Sequence, residues 1–191
     1  MQNKPKSMPG QFSQTNAYAS LYGLWFSLWW TLGFLLMVNG TGHPWCQMLL
    51  MVNVILAPWI GIKLARRFER EVRQDGLVTY GRAYQFSLLM YLYATLILSL
   101  VAYVWFAWID KGHFVEANIS MMDQPAMKEL LGSEPMKGEI AMVLKSTGFQ
   151  TLEEMMRSVT PLMICANVMF YNLILSFVLS IPTAWLSKSN K

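Results

Sequence analysis

Charge is scarce in this sequence. Only 14% of its 191 residues are Asp, Glu, Lys or Arg, against about 25% in an ordinary soluble domain. The scarcity is concentrated. No such residue occurs from Ser7 to Ile62 (56 residues), from Ala83 to Ile109 (27 residues) or from Ser158 to Ser187 (30 residues). A water-soluble fold of this size needs charged solvent faces inside those tracts, so a soluble architecture is excluded. Histidine and cysteine are also rare, with two of each. Two cysteines allow one disulfide at most. Intramembrane ionisable groups, which usually mark ion and proton paths, do not occur in the apolar runs inside these tracts, since His43 falls in a turn. No duplicated half of the transporter kind is evident either.

What is abundant is apolar surface, 54% of the residues. A bilayer crossing needs about 20 apolar residues, because the hydrocarbon core is about 30 Å thick and a helix rises about 1.5 Å per residue. Four spans meet this need: Ala17–Val38, Trp45–Ile62, Ala83–Ile109 and Pro161–Trp185. The runs are continuously apolar, whereas barrel strands alternate, so helices are expected. The fold class is therefore all-α, an integral membrane four-helix bundle with a helical extracytoplasmic loop between the third and fourth helices. Residues 1–16 and 187–191 form cytoplasmic tails, and residues 17–186 a single transmembrane domain. The third span exceeds the core thickness and is expected to tilt or protrude. The first is too long for a signal peptide and has no cleavage site behind it. Neither end carries a lipidation signal.

Basic residues set the orientation. The tails and residues 63–82 together hold ten basic and three acidic residues, against five basic and eight acidic in residues 110–160. Both termini are thus expected in the cytoplasm. The stretch Arg73–Phe86 becomes a cytoplasmic hairpin. The second helix is expected to run on through the charged segment after Ile62, with Glu69 and Arg73 paired at i,i+4. Gly76 suits the helix end, and Thr79 caps the third helix. Leu77 and Val78 rest in the interface, and Arg82 snorkels to lipid phosphates. Arg66, Arg67 and Arg82 are the candidate contacts for a lipid headgroup. Tyr18, Tyr22, Trp59 and Trp185 fall near the cytoplasmic interface, and Trp45, Trp105 and Trp108 near the opposite one.

Small or weakly polar residues recur at i,i+4 in every span: Ala19, Gly23, Ser27 and Thr31; Asn53, Ala57, Gly61 and Ala65; Ser87, Thr95 and Ser99; Asn172, Ser176, Ser180 and Ala184. Such stripes let helix backbones approach. Gly23, Ser27, Ala57, Gly61, Ser176 and Ser180 are the candidate packing residues. Asn53, with Asn167 or Asn172, offers interhelical hydrogen bonds. Pro58 and Pro182 are candidate kinks.

Residues 110–160 are expected to form two or three short amphipathic helices. Asp123 is the candidate N-cap of the first, before Pro125, and Gly132 its stop. Pro135 opens a second. Thr151 and Glu154 match a capping box. Seven methionines occur here; thioethers bind copper ions, but without a motif or a cysteine they read as packing. Asp110, His113 and Glu116, with His43 on the same side, are too scattered for a metal or catalytic site. Asp110 reads instead as a cap. Cys46 and Cys165 read as two buried apolar cysteines rather than a disulfide. No cofactor and no nucleic-acid partner is expected.

The run Gly76-Leu77-Val78-Thr79-Tyr80-Gly81-Arg82-Ala83, between a basic helix end and a long span, resembles the hairpin of a bacterial family called domain of unknown function 4199. The Trp108-Ile109-Asp110 exit from the third span and the acidic, Met-rich loop after it are similar too. Lys111 to His113 depart from the family's acidic or proline-containing pattern. The resemblance covers most of residues 17–186. It implies a Gram-negative inner-membrane protein and no established activity. The expected function is that of a non-enzymatic scaffold or accessory subunit of an envelope assembly. Its partners would be the lipid bilayer and a membrane protein or a second copy. A small-solute transporter or channel is one alternative. A membrane enzyme or lipid-phosphate-binding protein using the basic hairpin is the other.

Overall fold

The computed structural model describes residues 10–40, 43–72 and 78–188. Its elements are α1 (Gln11–Asn39), α2 (Pro44–Val72), α3 (Tyr80–Val104), a π-helical turn (Trp105–Ile109), α4 (His113–Met122), α5 (Pro125–Leu131), α6 (Glu134–Thr147), α7 (Leu152–Arg157) and α8 (Pro161–Ser187). No strand occurs among the described residues. Four helical segments, Gln11–Asn39, Pro44–Val72, Tyr80–Ile109 and Pro161–Ser187, are long and apolar enough to cross a membrane. The chain is an all-α, multi-pass membrane protein. Arg73, Gly76 and Leu77, expected in the α2–α3 hairpin, lie outside the described residues, as do Lys4, Lys6 and Lys191 of the tails.

The chain divides into two compact units, residues 1–101 with 167–191, and residues 102–166. The first has an inverted pattern of burial. Ser87, Thr95, Ser176 and Ser180 are inside, while Ile55 is 73% exposed and Phe177, Val178 and Ile181 are more than half exposed. Water would not tolerate so much contiguous apolar surface. Hydrocarbon does, and it leaves close backbone approach and interhelical hydrogen bonds to hold the helices together.

Aromatic rings join the first three helices. Phe68 on α2 stacks on Phe86 on α3, with centroids 4.1 Å apart. Phe26 on α1 meets Tyr91 on α3 edge-on at 5.0 Å, and Tyr18 on α1 meets Phe68 at 5.6 Å. Hydroxyls join α8. The Tyr91 and Thr183 hydroxyls are 3.0 Å apart, and those of Thr95 and Ser176 are 3.4 Å apart. Gly61 lies so close to the Tyr91 hydroxyl that a Cβ there would collide with it. Asn53 and Trp29 clasp α2 to α1. The Trp29 Nε1–H donates to the Asn53 carbonyl at 3.2 Å, and Asn53 Nδ2 donates to the Trp29 carbonyl at 3.3 Å. Asn53→Leu removes only the second bond. It is expected to lower stability by about 0.6 kcal/mol, the mean for such bonds in membranes, as a small fall in melting temperature in mild detergent.

The second unit turns sharply after the π-helical turn. Lys111 (φ 49°) and Gly112 (φ 87°) are both left-handed. The Asp110 carboxylate accepts the Phe114 N–H at 3.0 Å, capping α4. Asp123, expected to begin a helix, instead closes α4. Gln124 is the N-cap of α5, with Pro125 in its first turn. The Asp123 carboxylate sits 3.1 Å from the Lys128 ammonium. α6 stops at Gly148, whose φ of 79° needs no strain in glycine.

Thr151 caps α7 by accepting the Glu154 N–H at 3.1 Å, while the Glu154 carboxylate accepts the Gln150 N–H at 3.0 Å. Thr151→Ala costs a cap about 1 kcal/mol. Amide hydrogen exchange in the first turn of α7 is expected to quicken about fivefold, which that energy corresponds to. Arg157 joins α7 to α4 through Glu116 and also meets Glu153 at 3.1 Å. Hydrogen bonds from Glu116 first and Glu153 second raise the guanidinium pKa above its ordinary value.

Candidate functional site

One cluster of polar side chains in the first unit lies where α1 and α3 begin and α2 and α8 end. The opening turns of α1 bring Gln14, Thr15 and Asn16, and the opening turn of α3 brings Arg82. The closing turns of α2 bring Arg66, Arg67, Phe68, Glu69 and Glu71. α2 continues past its apolar run because an Arg67–Glu71 pair at i,i+4, 3.0 Å apart, supports the solvated turns.

Three arginines have three different fates. Arg82 is only 9% exposed. Its Nε donates to Thr15 Oγ1 at 3.2 Å and its Nη2 to Gln14 Oε1 at 2.6 Å. The guanidinium carbon lies 5.7 Å from the Phe68 ring centroid. The expectation that Arg82 reaches outward to phosphates is therefore corrected: it turns inward and ties α3 to α1. The cause is that α1 begins at Gln11, earlier than its apolar run, and so brings acceptors level with Arg82. Arg66 is exposed, and its Nε donates to the Leu186 carbonyl of α8 at 3.1 Å. Arg67 is also exposed, with its Nε on one Glu71 oxygen. The other Glu71 oxygen accepts the Tyr22 hydroxyl at 2.8 Å. Tyr22 is 4% exposed and packs within the bundle beside these charged residues. Tyr93 reaches the same end, donating to Asn16 Oδ1 at 2.8 Å.

Two concavities lie among the described residues of this unit. One is a groove of about 510 Å³ between α1 and α2, walled by Trp25, Leu28, Trp29, Leu32, Ile60 and Leu64, with Tyr22 and Arg67 at its polar end. The other, of about 300 Å³, lies among α1, α2, α3 and α8. It is walled by apolar residues such as Trp30, Phe34, Leu98 and Leu175, with Asn53 and Asn172 in its lining. The Asn53 and Asn172 amides donate to the carbonyls of Trp29 and Val168, respectively.

The candidate packing residues lie inside the first unit. Gly23, Ser27, Ala57, Gly61, Ser176 and Ser180 are all buried. Gly23 approaches Tyr93 and the Met90 carbonyl on α3. Ser176 and Ser180 donate to the Asn172 and Ser176 carbonyls of their own helix. Thr15, Gln14 and Glu71 were not anticipated as a group. The signal was present in the α1 stripe, which extends back by one i,i+4 step from Ala19 to Thr15. In the second unit Asp110 and Glu116 face Phe114 and Arg157. No group of three His, Cys, Asp or Glu side chains able to hold a metal occurs among the described residues. Cys46 and Cys165 form no disulfide.

A family model described as "Protein of unknown function (DUF4199)" matches residues 17–189. No curated protein and no solved structure matches the chain.

Proposed function

The chain belongs to the DUF4199 family, and from that premise we propose that it is a non-enzymatic scaffold or accessory subunit of an envelope assembly. We place it in a bacterial inner membrane as a four-helix bundle with both termini in the cytoplasm. The basic residues of the tails and the α2–α3 connection support that orientation. One observation carries the scaffold reading. Several polar side chains of the bundle are engaged in helix-to-helix bonds: Arg82 with Gln14 and Thr15, Tyr22 with Glu71, Asn53 with Trp29, and Tyr91 with Thr183. Such bonds fix one arrangement of helices. A catalyst or a carrier needs the same groups aimed at a substrate.

The partner is sought by affinity isolation from native membranes in mild detergent, with crosslinks mapped onto residues 113–157. A membrane protein, or a second copy, is expected at fixed stoichiometry. Recovery of a single copy alone, with no crosslink to another chain, overturns the reading. The cavity lined by Asn53 and Asn172 favours a second reading, a small-solute transporter. Under that reading, reconstituted vesicles would show solute flux that Leu98→Trp abolishes; under the scaffold reading they show none.

A further inference from the structure

Of the three arginines expected to meet lipid, Arg67 stands at the end of an apolar groove. The walls come from Trp25, Leu28 and Leu32 on α1 and from Ile60 and Leu64 on α2. From Ile60 to Arg67 the helix advances about 10 Å. A groove on the flank of a membrane-crossing helix pair is bathed in acyl chains, and water gains nothing by filling apolar walls. One end is cationic. The Arg67 side chain is 63% exposed, and Lys63 lies one turn away with its ammonium 3.5 Å from the Trp59 ring centroid. A guanidinium carries five donors in a fork suited to phosphate. Here the Nε–H faces Glu71, and the guanidinium carbon lies 5.9 Å from the Tyr22 ring centroid.

We propose that the α1–α2 groove binds one anionic phospholipid, with an acyl chain against Leu28 and Leu64 and the headgroup phosphate at Arg67. Arg82 and Arg66 take no part, because the first is turned inward to α1 and the second is bonded to the α8 carbonyl. Glu71 competes with the phosphate for Arg67 and so tunes the affinity.

The test uses the full chain in neutral detergent and native mass spectrometry, titrating phosphatidylglycerol against phosphatidylcholine. Preferential retention of phosphatidylglycerol is expected. Arg67→Gln lowers it about fivefold, the worth of one basic side chain near an anionic surface, and Glu71→Gln raises it. Arg70→Gln removes the same charge from the same helix outside the groove, and leaves retention nearly unchanged. Leu28→Trp fills the groove and reduces retention of both lipids. Leu28 and Arg67 are both exposed, and a circular dichroism melt matching the parent chain verifies that each variant is folded. Soluble glycerol phosphate in excess does not displace the lipid. Equal losses from Arg67→Gln and Arg70→Gln would show diffuse surface attraction and overturn the site. So would displacement by glycerol phosphate, indifference to Leu28→Trp, or equal retention of the two lipids.

Discussion

Gly23→Ala is expected to lower stability by about 2–3 kcal/mol, the upper part of the range for overpacking a well-packed interior. A Cβ at Gly23 would stand 2.7 Å from the Tyr93 Cβ and 2.8 Å from the Met90 carbonyl oxygen. Carbon atoms in comfortable contact are about 3.5–4.0 Å apart. Neither neighbour is the loose end of a side chain, so α1 and α3 must separate. Their separation loosens Phe26 from Tyr91 and Tyr22 from Phe86, ring pairs now 5.0 and 5.8 Å apart. Gly81→Ala is the control. Nothing lies within 4 Å of a Cβ there, and replacing a helical glycine gains about 0.5–1 kcal/mol. Thermal unfolding in detergent, followed by tryptophan fluorescence, separates the two. A Gly23→Ala chain that melts with the parent would show that α1 and α3 do not pack backbone to backbone.

The second large effect is at Arg82. Arg82→Ala is expected to cost about 2–3 kcal/mol, since hydrogen bonds to charged groups contribute about 1.5–3 kcal/mol. It strips Gln14 and Thr15 of their donor and uncovers Phe68. Arg82→Lys keeps the charge but lacks the fork needed to span Thr15 Oγ1 and Gln14 Oε1 together, so a partial loss is expected. Arg66→Ala, on an exposed residue, costs no more than about 0.5 kcal/mol. Equal losses at positions 66 and 82 would mean that the inward arginine is not a structural tie.

The four spans were legible because hydrocarbon imposes a length and excludes charge, and both requirements are written directly in composition. The Ser, Thr, Gly and Ala stripes were legible through their i,i+4 spacing, and Ala19, Ala57, Ala65, Ser176 and Ala184 lie in the core. The inward turn of Arg82 was not legible. It depends on where α1 begins, and Gln14 and Thr15 precede the apolar run that seemed to define that helix. The α1–α2 groove depends on the distance between two helices, which no local pattern encodes. In the second unit the capping box at Thr151 was readable because its two bonds are local. α4 carries no such local signal, because Gly112 and Asp110 resemble a loop. The left-handed pair Lys111–Gly112 makes the turn there, and the Asp110 carboxylate begins the helix. The α5 N-cap falls one residue after Asp123, where Gln124, a weaker capping type, takes the position before Pro125.

The contrast between aromatic joints among α1, α2 and α3 and hydroxyl joints to α8 bears on biosynthesis. Domains assemble in the order in which the ribosome delivers them. The ring cluster of Phe26, Phe68, Phe86 and Tyr91 is complete in sequence long before Thr183 is translated. α8 is the last crossing in chain order, so the Thr183 partner of the Tyr91 hydroxyl is the last part of that joint to be made.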